Sequence, residues 1–159
     1  MKKKILAISI LAAAAPLAVA ETETTTFQVT AEVIASCDVS ASTLAFGQYN
    51  PLSAGAHTGN STITVKCSNG ASYDVGLNVG LNNDEGQRRM SDGDSAFLSY
   101  NLFQNAGRTT SWGNITGTDT LASTGNGSSQ EHQVYASIPE QPSASVGSYA
   151  DTVTVTVTY

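Results

Sequence analysis

Positive charge is scarce in this chain. Only seven of its 159 residues are Lys or Arg, against thirteen Asp or Glu. Three of the seven, Lys2, Lys3 and Lys4, stand at the extreme N-terminus, which leaves Lys66, Arg88, Arg89 and Arg108 for everything that follows. So few cations cannot neutralise a run of phosphates, which excludes nucleic-acid binding of the ordinary electrostatic kind. Attachment to an anionic membrane surface is disfavoured on the same ground. Histidine is rarer still, with His57 and His132 alone, and no Gly-x-Ser-x-Gly nucleophile elbow occurs. The expectation is a protein that is no enzyme and takes no cofactor. The acids Asp84, Glu85, Asp92 and Asp94 lack the alternating ligand order of a calcium loop, with its Gly at the sixth and Glu at the twelfth position. They read as a solvated loop balanced by Arg88 and Arg89, in surface pairs that contribute little.

Long apolar runs are also missing, with one exception at the start. Lys2 to Lys4 make a positive n-region, Ile5 to Ala15 a short apolar h-region, and Ala18-Val19-Ala20 a small-residue cleavage motif. Ser9 and Pro16 interrupt the stretch, which falls short of the roughly 20 residues a spanning helix needs, so no membrane insertion is expected. Residues 1–20 are read as a signal peptide. Its removal leaves four cations against thirteen acids, a net charge of −9. The rest of the chain is of a size for one domain with a true core.

Cysteine is limited to Cys37 and Cys67. In an exported protein one isolated pair reads first as a disulfide, worth about 3–4 kcal/mol for a loop of roughly thirty residues. A metal site with His57 and His132 is the competing reading, but the four are not grouped at any familiar ligand spacing.

What the chain does have is two-residue alternation, with no helical period after the leader. Val153, Val155, Val157 and Tyr159 alternate with Thr152, Thr154, Thr156 and Thr158, a strand with one apolar and one wet face. Ile63, Val65 and Cys67 form another, and Tyr73 to Leu81 a third. Ser68-Asn69-Gly70-Ala71 between those two predicts a hairpin. Leu98, Tyr100 and Leu102 mark a further strand, Val134, Ala136 and Ile138 another, and Leu44 to Tyr49 a short one. The segments 82–93, 105–120 and 123–129 read as surface loops. Many short strands between turns predict an all-β sandwich of immunoglobulin type. The disulfide would tie its first core strand to the strand ending at Cys67.

The segment Glu21 to Ser36 stands apart. Phe27, Val29, Ala31 and Val33 alternate with Gln28, Thr30 and Glu32 directly behind the cleavage site. Two readings fit: the first strand of the chain's own sandwich, or a strand donated to another molecule by β-augmentation. Periodicity alone does not choose between them.

The run Thr25 to Val33, followed by Ser36-Cys37-Asp38-Val39 and Phe46-Gly47-Gln48-Tyr49, resembles the spore coat protein U domain family. Ile63 to Cys67 and the ending Gly147-Ser148-Tyr149 through Val157-Thr158-Tyr159 extend the likeness over the whole exported part. Within that family it is most similar to the rod subunits of Csu-type archaic chaperone–usher pili, which build biofilms. The resemblance implies an incomplete immunoglobulin-like sandwich that lacks its last strand, with an N-terminal donor strand and one disulfide. Residues 1–20 would be the signal peptide, 21–35 the donor segment and 36–159 the pilin domain. It further implies a structural subunit exported through the periplasm to the cell surface. A periplasmic chaperone would fill the groove, and at an outer-membrane usher the donor strand of an identical or related subunit would replace it, giving a head-to-tail polymer for adhesion. On that likeness Phe27, Val29, Ala31 and Val33 are the donor side chains. Val153, Val155, Val157 and Tyr159 edge the groove and meet the chaperone, and Cys37 and Cys67 form the family's disulfide.

Other features have plainer readings. Asn60, Asn114 and Asn126 begin glycosylation sequons, a cheap match in a chain rich in Asn, Ser and Thr. His57 and His132 read as exposed loop or strand-end residues. Trp112 among polar loops supports the alternative function, a secreted, self-contained β-sandwich that binds glycans or another surface ligand. Partial core or loop packing is its blander reading.

Overall fold

The computed structural model describes residues 19–141 and 143–159, so the cationic and apolar parts of the expected signal peptide lie outside the described residues. The chain divides into two units, Met1–Glu32 and Val33–Tyr159. In the first, residues 19–32 form no strand and all are exposed. Phe27 and Val29 keep 87% and 81% of their surface open. Alternation is present here without strand structure, because an extended chain becomes a strand only when its N–H and C=O groups meet a second one.

The second unit is built from β1 (Cys37–Ala41), β2 (His57–Cys67), β3 (Ser72–Leu77), β4 (Arg89–Ser91), β5 (Phe97–Ser99), β6 (Asn101–Phe103), β7 (Leu121–Thr124), β8 (Ser129–Ile138) and β9 (Val155–Thr158). No helix occurs among the described residues. One sheet runs β1-β2-β8-β6, a second β7-β3-β9, and β4 pairs with β5. Every pairing is antiparallel. The fold is all-β, an immunoglobulin-like sandwich whose sheets stay open.

Alternation explains the core. Ile63, Val65 and Cys67 of β2, Tyr73, Val75 and Leu77 of β3, and Val134, Ala136 and Ile138 of β8 are all buried between the sheets. Each large apolar side chain so placed contributes about 1.5–3 kcal/mol. Leu98, Tyr100 and Leu102 are buried on one face as expected, yet the strand breaks at Tyr100. Its first half pairs with β4 and its second with β8, so this one segment passes from one pairing to another.

Several expectations are corrected. Ser68 to Ala71 does turn, with Ala71 N–H donating to Ser68 O at 3.1 Å, but no hairpin follows. Both edges of β2 are occupied, by β1 and β8, and β3 pairs in the other sheet. Gly70 has φ +82° while Asn69 keeps a negative φ, whereas the hairpin-forming type I′ turn needs both positive. The run from Tyr73 stops at Leu77, and Leu81 is 74% exposed. Asn78 ends it, its Oδ1 accepting the Gly80 N–H at 3.1 Å where Gly80 turns with φ +82°.

The loop segments are also corrected in part, since 82–93 contains β4, 123–129 contains the end of β7, and 105–120 holds Trp112. Trp112 has no exposed surface, and its Nε1 donates to Val75 O at 2.8 Å. It belongs to the core, which leaves the glycan-binding alternative without its stacking platform. Both histidines are half-buried rather than exposed, His57 opening β2 and His132 inside β8. Leu44 to Tyr49 forms no strand, and the reason lies in the site itself.

Candidate functional site: an open cleft beside the last strand

β9 has a partner on one edge only. Its residues Val155 to Thr158 pair with β3 in the register Leu77↔Val155 to Asp74↔Thr158, and among the described residues no strand pairs with its other edge. Across from it the chain leaves β1, makes a last ladder bond from Ser42 N–H to Thr62 O at 2.9 Å, and peels away from β2. Between these two segments opens a cleft of about 1270 Å³. Leu44, Phe46 and Tyr49 line one side, Val153 and Val155 the other, with Ile63, Leu98, Leu102, Val134 and Ile138 beneath.

The unpaired segment explains the missing strand. Leu44 and Phe46 turn inward and are half-buried while Ala45 is exposed, the alternation of a strand. Side chains rather than a ladder hold it. His57 Nε2 lies 2.7 Å from Phe46 O, and the Tyr49 hydroxyl accepts the Gln141 N–H at 2.9 Å. An extended, alternating, unpaired segment facing an unpaired strand edge is the geometry that β-augmentation requires.

The predicted site residues divide accordingly. Val153 and Val155 line the cleft, and Val157 is half-buried on the same face, packed against the core. Tyr159 continues the alternation in sequence but is 59% exposed. Cys37 and Cys67 form the disulfide, joining directly opposed residues of β1 and β2. Phe27, Val29, Ala31 and Val33 are all exposed. With both cysteines bonded to each other, neither is available to join His57 and His132 in a metal site.

Sequence reasoning missed the polar machinery at the end of the cleft. The Tyr100 hydroxyl donates to Asp151 Oδ2 at 2.7 Å. Burial, reinforced by this bond, raises the Tyr100 pKa far above the ordinary phenol range. Arg88 does not balance the acidic loop. Its Nε donates to Asn78 O at 2.9 Å and its Nη2 to Leu77 O and Trp112 O at 2.7 and 2.8 Å. Burial lowers the Arg88 pKa, opposed by the charges of Tyr100, Asp119 and Asp151. Arg89 alone pairs with the loop, to Asp84 at 3.0 Å. The available signal for the cleft wall was the Leu44 to Tyr49 alternation, read as a strand. Nothing in the sequence marks Arg88 or Asp151.

A family model, the Spore Coat Protein U domain, matches residues 23–156, which takes in the cleft and most of the extended tail. The chain belongs to the Spore Coat Protein U domain family. It is 32% identical over 174 residues to Protein U of Myxococcus xanthus, covering 96% of this chain and 97% of that protein. It is also similar to a chain in the crystal structure of the CsuC–CsuE chaperone–tip adhesion subunit pre-assembly complex, from the archaic chaperone–usher Csu pili of Acinetobacter baumannii. There the TM-score is 0.60 at 28% identity, over 80% of this chain and 40% of that one. This Spore Coat Protein U domain chain thus spans well under half the length of that structural relative.

Proposed function

We propose that this chain is a structural pilus subunit of the chaperone–usher type, which polymerises head to tail by donor-strand complementation. The observation that carries the reading is the open apolar cleft between two unpaired extended segments, in a chain whose own N-terminal segment exposes Phe27, Val29 and Val33. An unpaired edge and an open core are both costly in water, and one alternating strand relieves both. Burying Phe27, Val29 and Val33 contributes about 1.5–3 kcal/mol each, offset in part by the entropy of ordering the tail. Membership of the family and likeness to a chain of a Csu pre-assembly complex support the same reading.

On this proposal residues 1–20 direct export and are removed, 21–35 are the donor and 36–159 the acceptor domain. Val153, Val155, Val157 and Tyr159 meet a periplasmic chaperone until an outer-membrane usher exchanges it for the next subunit's Phe27, Val29, Ala31 and Val33. Donor and cleft are different surfaces, so the contact is heterologous and the polymer open-ended. The fibres act at the cell surface in adhesion and biofilm formation. The test is deletion of residues 21–35 with and without the cognate chaperone. Loss of polymers with chaperone binding retained is the expected result. A stable, well-packed monomer that needs no chaperone would overturn the proposal.

A further inference from the structure

At the end of the cleft, just before β9, the Asp151 carboxylate accepts four hydrogen bonds. Tyr100 OH donates to Oδ2 at 2.7 Å. Leu81 N–H, Asn82 N–H and Asn82 Nδ2 donate to Oδ1 at 3.0, 3.2 and 3.1 Å. Gly80 makes the approach feasible, since a Cβ there would collide with Asp151 Oδ2. The neighbouring backbone is fastened to the same region. Thr154 N–H donates to Asn78 Oδ1 at 2.8 Å, and Ala150 exchanges two 2.9 Å bonds with Ser91. Asp151 and Tyr100 both line the cleft, yet the carboxylate is already saturated and is poorly placed to bind an occupant.

We propose that Asp151 is a positioning residue for strand acceptance: it clasps the approach to β9 onto Tyr100 and the 81–82 turn and so holds the empty cleft open. This inference rests on the strand-accepting function proposed above. The physical need is plain. An empty apolar cleft in water is driven to collapse, and among the described residues no strand pairs with the cleft side of the rim carrying Val153 and Val155. Bonds on the far side of that rim keep its free edge aligned. A subunit without the clasp populates the receptive state less often, and apparent affinity falls by that fraction. The loss appears in association, because the seated strand itself orders β9 once the complex has formed.

The probe is a dye-labelled peptide of residues 21–35, in large excess over dilute full chain freshly released from its chaperone, so that the peptide and not another copy's tail meets the cleft. Wild type is expected to bind it, D151A to bind about tenfold more slowly, and dissociation to change less than twofold. Y100F, which removes one of the four bonds, is expected to slow association about threefold, and this effect is expected to vanish in the D151A background. If D151A does not fold, Y100F alone carries the test. Equal association rates for wild type and Y100F, or a dissociation rate that rises as much as association falls, would refute the clasp. Failure of the wild type to bind the peptide is a different result, and it removes the strand-accepting function together with the clasp.

Discussion

Breaking the Cys37–Cys67 bridge is the sharpest test of how the sandwich holds its first strand. The bridge closes a loop with a sequence separation of 30 and joins residues directly opposed in the β1–β2 ladder. In the chain-entropy model such a loop removes about 12 cal/mol/K from the unfolded ensemble, or roughly 3.7 kcal/mol at 25 °C. Total stabilities of single domains run to about 5–15 kcal/mol, so the loss is a large fraction of the whole. Reduction and mutation are not equivalent, because Cys67 is 1% exposed and its sulfur packs in the core. Reduced wild type keeps both sulfurs and is expected to lose about 3–4 kcal/mol in urea denaturation. C37A/C67A is expected to lose about 1 kcal/mol more from the vacated core volume. Among the described residues β1 pairs only with β2, and it has little buried surface of its own, so the amides it bonds to β2, those of Asp38 and Ser40, are expected to lose protection first. A loss below 1 kcal/mol on reduction, with β1 protection unchanged, would show that the ladder holds the strand without the bridge.

Two further predictions concern buried polar groups. R88M removes the donors to Leu77 O, Asn78 O and Trp112 O and is expected to cost about 3 kcal/mol, since water reaches only part of the freed site. R88K, which keeps the charge but not the fork, is expected to recover less than half in the same urea titration. His132 is half-buried with Nε2 at 2.9 Å from the Tyr73 hydroxyl, and burial lowers its pKa. The unfolded chain therefore takes up this proton first as pH falls. Stability is full above the ordinary histidine value of about 6.5, declines as pH drops below it, and levels off once the folded imidazole is protonated. H132Q is expected to flatten that acid-side slope, and thermal melts from pH 8 to pH 5 measure it.

Much of this molecule is local and therefore legible in sequence. Period-two patterning puts Ile63, Val65 and Cys67, or Val134, Ala136 and Ile138, on one face whatever their partners, because side-chain direction follows the backbone pleat. The charge and apolar pattern of residues 1–20 and the isolated cysteine pair are likewise properties of short stretches read one at a time. Leu44 to Tyr49 shows the limit. Its alternation is correct and its strand is absent, because pairing depends on an edge that no other part of the second unit supplies.

Tertiary structure alone decided the rest. Asn69-Gly70 turns the chain, but the neighbours already on β2 decide that the next strand enters the other sheet. Trp112 sits among turn residues and still fills the core, because Val75 offers its carbonyl 37 positions away. Arg88 lies beside an acidic loop in sequence yet serves three carbonyls of the interior, and Asp151 finds Tyr100 from 51 positions away. Sequence by itself pointed to a disulfide-bonded chain of short strands with an alternating tail behind an expected export signal. Only the packed fold determined that one strand edge and one extended segment stay unpaired across an apolar cleft, since an unmet hydrogen-bonding edge is defined by what lies beside it in space.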